Sequence, residues 1–203
     1  MSEKAPGLEI IRLWPCIFIE IDLPAYEAPT QRLMALAESR PGEGVFAIDD
    51  PGVEWLKQQL ARAVAAYCHR TGFGQAPKWG ARARFVVQKF GEYRGLANQP
   101  GADLAGMYVL QWPSQRSGVP ERDHGRDDGL PGYVSFYDPR VAMNMNAIKR
   151  DPYHGYHQSL RPRAGLLLLW PAYVNYFLHP NESRQPAVRV AIEVHWQQPP
   201  GSP

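Results

Sequence analysis

The chain has 203 residues, 44% hydrophobic and 21% charged, which allows one sizeable core and excludes wholesale disorder. A formal net charge of +2 at pH 7 without any Lys/Arg run argues against a surface that tracks phosphates. Two cysteines, Cys16 and Cys68, support neither a disulfide scaffold nor a zinc box. The longest apolar stretch, from Gly165 to Trp170 and onward, is stopped by Pro171 and Asn175, far short of a membrane span. The opening MSEKAPGLEI is charged and has no apolar run of the signal-peptide kind. A cytoplasmic protein is expected, with a small molecule as partner, no nucleic acid, no membrane, and a homodimer as the open question of assembly.

The first predicted element is a strand at Cys16 to Ile21, where Ile17, Ile19 and Ile21 alternate with Phe18 and Glu20. A helical pattern follows from about Tyr26 to Glu38, with Leu33, Met34 and Ala37 on one face. A second begins with Asp50 as N-cap and Pro51 at the first helical position. Val53, Leu56, Leu60, Val64, Tyr67 and Cys68 recur along it at helical spacing, and it stops before Thr71-Gly72. From Trp79 onward the pattern is strand. Predicted strands are Ala81 to Gln88, Leu104 to Trp112, Gly132 to Tyr137, Tyr156 to Leu160, Gly165 to Trp170, Tyr173 to Leu178 and Ala187 to Trp196. Turn signals divide them, among them Gly91, Pro100-Gly101, Pro131-Gly132 and His179-Pro180-Asn181. The polar stretch Pro113 to Leu130 is expected to be a loop, and a lid by its length and charge. Twenty prolines and eighteen glycines spread along the chain fit many short elements joined by tight turns. The expected fold is mainly β: a jelly roll of roughly eight strands, about 79–196, with two N-terminal helices, about 24–72, packed on one sheet in a single domain.

The motifs from Trp79 to His195 add a family reading. Phe90-Gly91-Glu92-Tyr93 is followed by Leu104-Ala105-Gly106-Met107-Tyr108-Val109-Leu110, then Gly132-Tyr133-Val134-Ser135-Phe136-Tyr137-Asp138-Pro139-Arg140. Pro162 to Pro171 (PRAGLLLLWP) and Asn181 to Val194, with Arg189 inside it, complete the series. In this order the motifs resemble a family of bacterial 2-oxoglutarate/Fe(II) oxygenases built on the double-stranded β-helix. The resemblance implies that fold, an iron centre of two imidazoles and one carboxylate, and an arginine on the closing strand that grips a carboxylate.

Here the chain departs from the family. Registering on Gly91 and Pro100 puts Ala97 and Gln99 where two iron ligands should stand, and the count from Trp170-Pro171 puts Tyr176 at the third, with His179 three positions late. Alanine cannot bind a metal, glutamine is a weak neutral ligand, and tyrosine favours Fe(III). No metal or cofactor is therefore expected at the family iron position. The carboxylate-holding groups remain: Arg189 as anchor, Tyr108 as a second donor and Gln99 as a further substrate contact. Glu193 and His195 share the parity of Arg189, so all three are expected to face one side of their strand. With Tyr176 they are the candidate acid–base residues, although buried hydrogen-bond partners are an equal reading of Glu193 and His195. Trp170, Tyr173 and Tyr176 are also candidates to fill the space that iron and its ligands vacate.

Three functional readings follow. The first is an enzyme that has lost the iron triad and acts without metal on a small carboxylate-bearing or carrier-linked substrate. The second is an active 2-oxoglutarate-dependent Fe(II) hydroxylase with an unorthodox ligand set drawn from His154, His157, Asp138 or His195. The third is a pseudoenzyme, a binding subunit without catalysis. A metal shared by His154 and His157, or a cation in the Asp123 to Asp128 loop, is the less favoured reading of those residues. Asp138 is expected to cap its own turn.

Overall fold

The computed structural model describes residues 16–40, 42–72, 77–113, 131–140 and 157–197. Within them lie nine strands, two α-helices and a 3-10 helix at Val45–Ala47: β1 (Ile19–Asp22), α1 (Glu27–Ser39), α2 (Pro51–Thr71), β2 (Trp79–Gln88), β3 (Arg94–Ala97), β4 (Leu104–Gln111), β5 (Val134–Tyr137), β6 (His157–Leu160), β7 (Leu166–Pro171), β8 (Tyr176–Leu178) and β9 (Ala187–Trp196). The expected lid at Pro113 to Leu130 and the histidine of the Asp151–His157 segment at position 154 lie outside the described residues, save Pro113 itself.

Helix α2 forms where its end signals place it. The Asp50 carboxylate accepts from the Gly52 N–H at 2.7 Å, and Pro51 occupies the first turn, where no N–H is missed. Gly72 closes the helix at φ +80° with its N–H on the Cys68 carbonyl, a conformation that costs glycine nothing. Arg32 of α1 reaches the same Asp50 carboxylate at 3.0 Å and ties the two helices together.

The strands form two antiparallel sheets, one five-stranded in the order β1-β7-β4-β9-β2 and one four-stranded in the order β3-β8-β5-β6. Strand parity then sorts the core into two layers. Leu104, Tyr108 and Leu110 of β4, Leu167 and Leu169 of β7, and Val188, Val190, Ile192 and Val194 of β9 pack with Leu33, Leu56 and Leu60 of the helices. The alternate residues, among them Met107, Val109, Leu168 and Trp170, meet Val134, Phe136, Tyr176 and Leu178 of the second sheet. Each fully buried side chain of this size contributes about 1.5–3 kcal/mol. The result is a jelly-roll-like pair of sheets with the helices covering the larger one.

Candidate functional site

Strand β9 presents Arg189, Ala191 and Glu193 toward the space between the sheets, while its valines and Ile192 face the helices. Opposite Arg189 on β2 stands Val86, and opposite Ala191 stands Arg84. From the second sheet, β3 supplies Arg94 and β8 supplies Tyr176. These side chains, with Gln99, Met107, Leu178 and Trp170 among others, line one cavity of about 20 Å³, room for roughly one or two waters.

Arg189 is only 5% exposed. Its Nη1 donates to Gln88 Oε1 at 3.2 Å, and among the described residues no carboxylate pairs with it. Gln88 is itself held by its Nε2, which donates to the carbonyls of Glu92 and His179 at 2.8 and 2.9 Å. Burial pulls the Arg189 guanidinium down to about 10, and the charges of Arg94 and Arg84 pull the same way, against Tyr176. It stays a cation at neutral pH. Asp138 accepts from the Arg140 backbone N–H at 2.9 Å and pairs with the Arg140 guanidinium, capping its turn as expected.

The acid–base candidates are arranged in sequence along β9. Gln99 Nε2 donates to Glu193 Oε1. His195 Nδ1 lies 3.0 Å from the Gly101 carbonyl, which makes Nδ1 the protonated nitrogen of the neutral ring. Its Nε2 is buried, has no hydrogen-bond partner among the described residues, and sits 3.8 Å from Glu193 Oε2. Glu193 lines the cavity; His195 does not, and stands behind it. The expected row of Arg189, Glu193 and His195 facing the cavity is therefore corrected at its last member, because the cavity ends before β9 does.

Tyr108 requires a larger correction. It points toward the helices, fully buried, with its hydroxyl 2.5 Å from Thr30 Oγ1 and its ring against Trp55. Its even position on β4, shared with Leu104 and Leu110, puts it on the sheet face opposite Arg189. Burial pushes its phenol up to about 12. Tyr108 is a packing residue, not a second donor to a ligand.

The three positions registered on the iron ligands do come together. Ala97 and Tyr176 are Cα partners across β3 and β8, and Gln99 and Tyr176 line the same cavity. The donors they offer are a methyl group, a carboxamide committed to Glu193, and a phenol. That set does not fit an Fe(II) centre of two imidazoles and a carboxylate. Among the described residues, no three His, Cys, Asp or Glu side chains gather in metal-binding reach. Trp170 and Tyr176 pack edge-on to each other and against Phe136, filling the inner layer as expected, whereas Tyr173 is 58% exposed and fills nothing.

Arg84, Arg94 and Gln88 are site residues that motif reading missed. One signal was available: Arg82 and Arg84 alternate with Ala83 and Phe85, so β2 was bound to carry its cations on the face shared with Arg189 once it paired with β9.

Comparison with known proteins places the fold. No protein-family model and no curated protein matches the chain. Among solved structures, a Pseudomonas putida prolyl-4-hydroxylase is similar with a TM-score of 0.60 at 10% identity, over 90% of this chain and 87% of that one. A 2OG-Fe(II) oxygenase-family oxidoreductase from Burkholderia pseudomallei gives 0.53 at 12% identity, over 88% and 84%. HygX from Streptomyces hygroscopicus, solved with nickel and 2-oxoglutarate bound, gives 0.54 at 9% identity, over 89% and 82%. The likeness runs over most of the chain, which has the fold of the 2-oxoglutarate/Fe(II) oxygenases.

Proposed function

We propose that the chain is a divergent member of the 2-oxoglutarate/Fe(II) oxygenases, on the double-stranded β-helix, that binds a small carboxylate at Arg189 and transfers protons on it without the family's iron. The observation that carries this reading is the buried Arg189 cation with a single neutral partner. An uncompensated buried charge is costly, and a ligand carboxylate that accepts a two-pronged guanidinium contact offsets that cost. The donor set at Ala97, Gln99 and Tyr176 supports the metal-free part, since it offers no imidazole and no carboxylate.

In this reading Glu193 is the base. The Gln99 amide fixes the direction of its carboxylate, and His195, with Nδ1 on the Gly101 carbonyl, stands with Nε2 beside the second carboxylate oxygen. His195 is thus a positioning residue and Tyr176 the acid across the cavity. Glu193 removes a proton from the carbon beside the bound carboxylate, and the proton is returned from Glu193 or Tyr176.

Deuterium wash-in from D₂O, followed by NMR on a panel of small 3-keto and 2-hydroxy acids with a metal chelator present, tests this. Exchange at the carbon beside the carboxylate should occur and should be lost in Glu193→Gln, with binding retained. Exchange that stops on chelation, or stoichiometric Fe(II) uptake by the purified protein, overturns the metal-free reading.

A further inference from the structure

Three guanidiniums line the cavity, Arg189 and Arg84 from the large sheet and Arg94 from the small one. Arg84 opposes Ala191, two residues along β9 from Arg189, and such diagonal neighbours are about 7–8 Å apart. A guanidinium carries several N–H donors and no acceptor. Among the described residues the three make one hydrogen bond, from Arg189 to the neutral Gln88, and none of them pairs with a carboxylate. Arg94 leans instead on the Tyr176 ring, its guanidinium carbon 5.5 Å from the ring centre. That contact engages the electron-rich face of the ring and gives the Arg94 N–H groups no acceptor.

Glu193, the acid of the cavity, does not supply the missing charge. It lies four residues along β9 from Arg189, about 13 Å at the rise of a strand, and is engaged by Gln99 and His195. The cations near Arg189 are Arg94 and Arg84, which oppose its charge. Another donor of the wall is also unmet: Trp170 is 3% exposed, and its Nε1–H has no partner among the described residues. The space these donors enclose, about 20 Å³, takes one or two waters. Water brings donors of its own and no charge, so it leaves the excess of donors in place. A tetrahedral oxyanion is too large. A halide is little larger than water, accepts from every side and donates nothing, so it matches both the size and the donor excess. Guanidinium is weakly hydrated and loses little on pairing with a weakly hydrated anion such as chloride or bromide.

We propose that the cavity is a halide site, in which a chloride ion sits against Arg189 with Arg94 contributing from the facing sheet and neutralises the buried guanidinium. Arg84, exposed on the rim, attracts the anion from solvent. The proposal goes beyond the carboxylate reading of Arg189 and does not need it. Where both ligands bind they share one cation, so each displaces the other.

Chloride NMR of the full chain tests this, with chloride exchanged for gluconate at constant ionic strength and a chelator present. The protein should broaden the chloride line saturably, and bromide should reverse the broadening. Affinity should fall roughly tenfold or more in Arg189→Met and severalfold in Arg94→Met, and stay within about twofold in Glu193→Gln. Chloride should also raise the melting temperature at constant ionic strength, and Arg189→Met should lose that rise. A crystal soaked in bromide should show an anomalous peak beside the Arg189 guanidinium; this peak and Arg94→Met decide the question where Arg189→Met folds poorly. Broadening that Arg189→Met leaves unchanged, or bromide found only on the outer surface, overturns the site. Sulfate as effective as chloride marks general screening of cations and overturns it too. Acetate and glycolate, as carboxylate probes, should compete with chloride. Chloride binding that neither displaces leaves the halide site standing and overturns the carboxylate anchor. Carboxylate binding that Arg189→Met abolishes, with no chloride binding, overturns the halide site and leaves the anchor.

Discussion

Arg189 and Tyr108 show how one strand position decides a residue's role. Both look like polar groups available to a ligand, yet Arg189 faces the cavity and Tyr108 the helices. Their substitutions should therefore behave in opposite ways. Arg189→Met removes a buried cation whose loss costs only its bond to Gln88, about 1 kcal/mol, and relieves the cost of keeping a charge out of water. Its melting temperature should stay level or rise, while carboxylate affinity falls roughly ten- to a hundredfold. Tyr108→Phe leaves Thr30 without its partner in the core and should lower stability by about 1 kcal/mol with carboxylate affinity unchanged. Urea unfolding and titration of the two variants decide the matter. A destabilised Arg189→Met protein with normal affinity would mark the arginine as structural.

At the level of elements, the helical layer is attached to the large sheet through close contacts that allow no extra atom. Gly165, in the turn before β7, has φ +83°, and a Cβ there would meet the Tyr26 ring at 2.6 Å. Tyr26 is the residue from which α1 starts, and the Leu23 N–H donates to the Gly165 carbonyl at 3.1 Å. The turn and the start of the helix therefore share one position. Gly165→Ala meets both the strain of a positive φ and the clash, and it should cost about 1–3 kcal/mol in chemical denaturation. An alanine variant of unchanged stability would show that α1 can shift away from the sheet. Strand β3 shows the converse case, an element with little of its own to specify it. Arg94-Gly95-Leu96-Ala97 has no alternating β-branched residues, and its ladder to β8 is interrupted by a register shift between Arg94 and Ala97. Nothing local predicts it; pairing with β8 makes it a strand.

For the molecule as a whole, stability toward acid should reflect the carboxylates that hold guanidinium partners. The Asp50 carboxyl is held below the usual range by its hydrogen bond from Arg32, and Asp138 likewise by Arg140. A carboxyl with a lowered folded-state value stabilises fully above the ordinary carboxylate range, and that contribution is lost as pH falls through the folded value. Asp50→Ala removes the N-cap of α2 and its tie to α1, and should cost about 1 kcal/mol at neutral pH. The difference from wild type should shrink as both are unfolded at progressively lower pH through the acid range. A gap that stays constant with pH would place the effect in packing rather than in the charge.

The amino-acid order by itself determined both helices, with α2 correct at the Asp50 cap and its end expected one residue early, before Thr71, because capping and period are local signals. It identified Ala97, Gln99 and Tyr176 as departures from an iron-binding pattern, because residue identity is read directly. The tertiary structure alone decided which face of each strand becomes the cavity wall. Parity yields two sets of residues per strand, and only the stacking of the sheets says which set looks inward. That is why Tyr108 was assigned to the wrong face, why Arg84 and Arg94 joined Arg189 unannounced from separate strands, and why His195 fell just beyond the site it was expected to line.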